Sequence, residues 1–238
     1  MEELAAYVCQ KLDDKNYRAV LSGGCCMEIY TKQFYSSFDL DFVMTSSFKE
    51  KDIADIMKEL GFKEDGKYFV IENSKFFIEI INGPVALGDQ FIKDFARQDF
   101  KLGTLKLLTA TDSIKDRLCA CVFHGDNKCF EHALAIGHLN EIDEDELKRW
   151  SLKEDKDMQT SVNQYIKDLS LLNNPTNAGK IKYLKKLLNN EYLDINSELD
   201  HSYIMKALQE RYMGKTIFLN FTILDIQELL ASKESEPN

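Results

Sequence analysis

Proline is scarce in this chain, with 3 in 238 residues, and glycine numbers only 11. That shortage of turn formers argues for long regular elements and against a sandwich of many short strands. No run of about 18 apolar residues occurs, so no membrane-spanning helix and no membrane partner are expected. The opening MEELAAYVCQKLDDKNYR is acidic and amphipathic and lacks the basic-then-apolar layout of a secretory leader. GxxxxGK[ST], GxSxG and HExxH are all missing. Their absence lowers the case for P-loop hydrolysis, serine hydrolysis and zinc peptidase chemistry. The 6 cysteines include no CxxC pair, and Cys119 and Cys121 would point from different faces of a helix. They are expected to be reduced thiols in a cytoplasmic protein. His124, His132 and His138 miss the i, i+4 spacing of a helical zinc pair. Positive charge is also short, with 30 Lys+Arg against 40 Asp+Glu and a net charge of -10. Such a balance disfavours indiscriminate nucleic-acid or membrane-surface binding but leaves room for a local basic groove.

What is present is an ordinary globular composition, 44% hydrophobic and 11% aromatic, enough to exclude disorder of the whole chain. Leu4, Tyr7, Val8 and Leu12 stand at helical spacing in residues 3–13. An apolar run over 18–22 ends in Gly23-Gly24, and a helix follows from Cys25 to about Phe34. Residues 38–44 alternate as a strand, and 52–60 read as a helix stopped by Gly61. Strands over 67–71 and 76–81 flank a polar link that suits a hairpin turn, and 102–108 is an extended stretch. The order α-β-α-β-α-β-β predicts an α/β (α+β) mixed sheet with helices over residues 1–110. Beyond Thr109 the pattern is helical. Thr111 or Asp112 can cap a helix to about 123, and further helices are expected near 126–138, 143–153, 157–171, 177–190, 197–210 and 217–231. Residues 111–238 therefore read as an all-α helical bundle domain.

The informative segment is LSGGCCMEIYTKQFYSSFDLDFV, residues 21–43. Asp39 and Asp41 stand two apart on the predicted strand, so both point to one face, roughly 6–7 Å apart. Two like charges among Phe38, Leu40, Phe42 and Val43 need something positive between them, and magnesium takes a few carboxylates together with substrate phosphates. Glu79 interrupts the apolar run FFIEII and raises the same question, because a lone buried carboxylate is costly. If its strand lies beside the Asp39–Asp41 strand, three acids can hold two magnesium ions for phosphoryl displacement. Gly23 and Gly24, between a strand and a helix, let phosphate approach the backbone. Taken singly, a Gly-Gly pair is a common turn, DxD is often an exposed strand face, and one acid in a strand is often an edge charge. Their order along the chain is the stronger signal.

In that order, Gly23, Gly24, Asp39, Asp41 and Glu79 resemble the signature of the nucleotidyltransferase superfamily, the polymerase-beta-like fold. Within it the chain is most similar to the AbiEii-like abortive-infection toxins, which join such a domain to a helical C-terminal one. Many relatives carry Asp where this chain has Glu79, and the lysine-rich helical motif is only partly kept around Lys115. The resemblance implies a Mg2+-dependent enzyme moving a nucleotidyl group from an NTP to a tRNA or protein acceptor. Asp39, Asp41 and Glu79 would then be catalytic and metal-binding, and Ser22, Gly23 and Gly24 would hold phosphates. It also implies a toxin role with a cognate antitoxin.

Lys115 and Arg117 open a helix and can either meet a triphosphate or form a solvated ion network; the sequence leaves both open. Cys25 and Cys26 lack a nearby base, which disfavours nucleophilic catalysis. Lys180, Lys182, Lys185 and Lys186, with Tyr183 nearby, form a basic cluster that reads first as a solvated helix face and second as a guide for an RNA backbone. The alternative to an enzyme is a non-catalytic nucleotide- or protein-binding module on the same fold, and a weaker third reading is small-molecule modification.

Overall fold

The computed structural model of the protein describes residues 1–31, 37–126 and 128–173. The predicted helices beyond 173 and the basic cluster from Lys180 to Lys186 lie outside the described residues. Helix α1 (Glu2–Asp14) buries Ala5, Val8, Cys9 and Leu12, one stripe at i, i+3, i+4 and i+7. Strand β1 (Ala19–Ser22) leads straight into α2 (Gly23–Tyr30), which starts two residues earlier than the sequence suggests. Strand β2 (Asp39–Met44) and α3 (Glu50–Glu59) follow, the latter burying Ile53, Ile56 and Met57. The chain then forms β3 (Lys63–Asp65), β4 (Tyr68–Val70), β5 (Phe77–Asn82), β6 (Ala86–Leu87), β7 (Gln90–Phe91), β8 (Ala96–Phe100) and β9 (Gly103–Leu107). Helices α4 (Ala110–His124), α5 (Lys128–Leu139), α6 (Glu144–Ser151) and α7 (Lys156–Leu172) complete the described chain.

Seven strands make one mixed sheet in the order β3-β4-β5-β2-β1-β9-β8, and β6 with β7 forms a separate two-stranded ribbon. The predicted hairpin over 67–81 is present as β4 antiparallel to β5. Strand β2 is central. It runs antiparallel to β1 and parallel to β5. Leu40 and Phe42 of β2, Leu21 of β1, Ile78 of β5 and Leu105 and Leu107 of β9 are fully buried in a core shared with α1 and α3. Helix α1 packs on β1, β8 and β9, and α2 on β1, β2, α4 and α5.

Residues Met1–Val162 form one compact unit, so α4, α5 and α6 belong with the sheet, and the predicted boundary at 110/111 falls inside that unit. The cap of α4 is Thr109, whose side chain accepts from the Asp112 N–H at 3.0 Å, rather than Thr111 or Asp112. Among the described residues no helix is long and apolar enough to cross a membrane.

Candidate active site

Alternation along β2 turns Leu40 and Phe42 into the core and Asp39 and Asp41 to the opposite face. Register then assembles the site. Ser22 of β1 and Glu79 of β5 are the partners of Asp41 on either side, and Tyr68 of β4 is the next partner beyond Glu79. Cross-strand partners share a face, so a row Ser22–Asp41–Glu79–Tyr68 crosses four strands. Asp39, Asp41 and Glu79 each offer a carboxylate oxygen within 4.8 Å of the others. Phe77, the partner of Asp39, meets the Tyr68 ring edge-on at 4.9 Å and forms an aromatic wall beside the acids.

The electrostatics are those of an under-neutralised cluster. Burial, then the charges of Asp39 and Glu79, push Asp41 up to about 7. Asp39 is raised by burial first and also by the charge of Glu79, with a hydrogen bond from Asp41 and the charge of Lys67 opposing the shift. Among the described residues, the Oδ1 atom of Asp39 is buried without a hydrogen-bond partner. Glu79 is the exception, because Lys67 Nζ lies 3.0 Å from its Oε1 and 2.8 Å from its Oε2. That lysine side chain is 62% exposed and sits at the rim over the Tyr68 ring. One ammonium beside three carboxylates leaves negative charge in excess.

The Gly-Gly pair abuts this cluster. Gly23 bends the chain from strand into helix at φ +70°, and a Cβ there would lie 2.4 Å from Asp41 Oδ2. A Cβ on Gly24 would lie 3.0 Å from Ser37 Oγ. Ser22 makes no side-chain cap to α2 and instead donates weakly to the Asp41 carbonyl at 3.4 Å. The start of α2 therefore lacks a side-chain cap from Ser22, which suits an anion-accepting helix start. The acids fit a divalent cation on three grounds: an all-oxygen donor set, an orphaned buried oxygen and a side-chain-free approach.

The structure separates the two cations expected to reach phosphate. Lys115 is 1% exposed, and its Nζ meets Asp112 Oδ1 at 3.0 Å, Glu146 Oε1 at 2.8 Å and Gln90 Oε1 at 3.0 Å. All three ammonium protons are engaged, so Lys115 is a structural ion rather than a free phosphate ligand. Burial raises the Glu146 carboxyl, but hydrogen bonds from Lys115, Arg149 and Gln90 outweigh it and hold the group near about 2. Arg117 grips Asp116 Oδ2 through Nη2 at 2.5 Å and Nε at 3.1 Å. Asp116 in turn acts electrostatically on Asp41, so this arginine offsets a further acid near the cluster.

Sequence reasoning missed Glu28, 6% exposed on α2, which accepts from the Ser37 N–H at 2.6 Å and anchors the entry to β2. Its signal is a lone acid in an otherwise apolar helix. Lys67, Tyr68 and Phe77 were also missed, because only register brings them to the acids. Cys25 donates to the Asp39 carbonyl at 2.9 Å, and burial pushes its thiol up to about 12, so it is no nucleophile at neutral pH.

No protein-family model matches the chain, and no curated protein matches it. Solved structures similar to it include a tRNA-processing enzyme in its apo form, at 14% identity and TM-score 0.37, covering 99% of this chain and 74% of that one. A CCA-adding enzyme in complex with CTP is similar at 13% identity and TM-score 0.34, covering 96% of this chain and 64% of that one. A tRNA-processing enzyme complex is similar at 14% identity and TM-score 0.34, covering 96% of this chain and 74% of that one.

Proposed function

We propose that the chain is a divalent-metal-dependent nucleotidyltransferase that moves a nucleotidyl group from an NTP to an RNA or protein hydroxyl. The observation that carries this reading is the convergence of Asp39, Asp41 and Glu79 within 4.8 Å beside a glycine whose missing side chain opens the approach to Asp41. Asp39 and Asp41 would hold Mg2+ together with Glu79, and the ion supplies neutralisation of the phosphate charge. Gly23, Gly24 and the uncapped start of α2 would receive the β- and γ-phosphates. The acceptor hydroxyl attacks the α-phosphorus, the bond to the β-phosphate breaks, and pyrophosphate leaves. Glu79 would accept the hydroxyl proton. Tyr68 and Phe77 would flank the base. Lys67 would exchange its contact with Glu79 for one to the departing phosphates. The sequence resemblance extends the proposal to a growth-arresting toxin held by a cognate antitoxin.

One observation favours the second reading, a non-catalytic binding module. Glu79 is already paired with Lys67, so the third acid can be a structural ion pair. Incubation with Mg2+, each labelled NTP, total RNA and lysate protein separates the readings. Transfer by the parent and none by Asp41→Ala is expected. Equal labelling by both proteins sinks the enzyme, and metal-dependent NTP binding with no transfer to any acceptor selects the module.

A further inference from the structure

The acid-bearing face of the sheet carries a second concentration of charge, of the opposite sign. A cavity of about 590 Å³ is lined by Arg18, Lys93, Arg97 and Lys106, with Asp13 as its acid. Four cations against one carboxylate are unexpected in a chain of net charge -10. Lys106 Nζ pairs with Asp13 Oδ1 at 2.5 Å. Arg18, Lys93 and Arg97 form no ion pair among the described residues, although the chain has acids to offer.

Position separates this cavity from the acid cluster. Val20 lines it and shares a face of β1 with Ser22, the partner of Asp41. Arg18 precedes Ser22 by four residues, about 13 Å of extended chain, at the opposite end of the strand. The Arg18 backbone is pinned there, its carbonyl accepting from the Thr45 N–H at 2.8 Å and its own N–H donating to Ser46 Oγ at 3.0 Å.

A second observation points to an anion. Arg97 of β8 and Lys106 of β9 are register partners in an antiparallel pair, so their side chains emerge side by side on one face. Like charges directly opposite each other destabilise a sheet, and Asp13 offsets only one of the two. The arrangement gains a reason when a polyanion lies between them. The floor is apolar, from Val85, Ile92 and Phe95. A cationic rim over an apolar floor suits a compact ligand with both a phosphate chain and an apolar body.

We propose that this cavity is a second, metal-independent anion site that takes a nucleotide-type phosphate, Arg18, Lys93 and Arg97 gripping the phosphates and Ile92 and Phe95 meeting the base. The site does not rest on the nucleotidyl-transfer reading, and its test is run with Asp41 neutralised and divalent metal withheld.

Isothermal titration of ATP into the full chain carrying Asp41→Asn, in EDTA, reads it directly. Saturable one-to-one binding is expected, with tripolyphosphate competing and rising salt weakening it. Adding Arg18→Gln, Lys93→Gln and Arg97→Gln should lower affinity at least tenfold. The pair Lys93→Gln and Arg97→Gln, both exposed, should lower it measurably with the melting temperature unchanged. Binding that survives the triple change, that tripolyphosphate fails to displace, or that vanishes with Asp41→Asn alone overturns the site.

Discussion

Asp41 stands between two other acids, and its protonation reports on them. Burial and the charges of Asp39 and Glu79 place its carboxyl near about 7 in the folded chain, against 3.8 for the ordinary group. Between those values the folded state binds more protons than the unfolded one, so metal-free stability falls as pH rises through that window and levels off above it. Calorimetry of the parent against Asp41→Asn should show a melting-temperature difference that grows in favour of the variant from acid to neutral pH. A difference independent of pH would remove the electrostatic account. Gly23 supports a second prediction. Gly23→Ala places a side chain at φ +70° and 2.4 Å from Asp41 Oδ2. The left-handed backbone alone costs roughly 1–2 kcal/mol. Urea unfolding should show at least that loss, together with weakened metal binding; an unchanged midpoint would mean that the backbone there relaxes freely.

At the scale of elements, α4 carries two devices that do different work. Thr109→Ala removes the side-chain cap and should cost about 1 kcal/mol in chemical denaturation. Lys115→Ala leaves Asp112 and Glu146 facing each other and should cost about 3 kcal/mol, because an ion network loses its shared cation. If Lys115 is structural, KM for NTP in the surviving folded protein stays at the parent value; a selective rise in KM would return it to the phosphate site. Strand β2 and the β4–β5 hairpin were legible because alternation and a polar turn survive in single-sequence pattern. Strand β3 was not, since all its residues are exposed and Lys-Glu-Asp carries no apolar signal. Strand β8, Ala-Arg-Gln-Asp-Phe, hides in the same way behind polar residues, and β6 and β7 are two residues each. Asp39 and Asp41 were readable from their spacing and Glu79 from the apolar run it interrupts, whereas Asp116 near Asp41 and Lys67 on Glu79 depend on packing that no local pattern encodes.

For the whole molecule, a cation held by the acid cluster as proposed would couple binding to folding. At a free Mg2+ concentration one hundredfold above its dissociation constant, the folded state should gain about 2.7 kcal/mol. Thermal melts across a Mg2+ series should show this gain in the parent and not in Asp41→Asn; parallel gains in both would indicate ion binding elsewhere. The row from Ser22 through Asp41 and Glu79 to Tyr68 has a further consequence. A slip of one residue between β2 and its neighbours would drive both aspartates into the hydrocarbon interior and expel Leu40 and Phe42 into water. A mispaired chain therefore cannot fold stably and keep its acids outward. The oily side of the strand proofreads the acidic side, and every molecule that reaches a stable sheet arrives with its carboxylates already aimed.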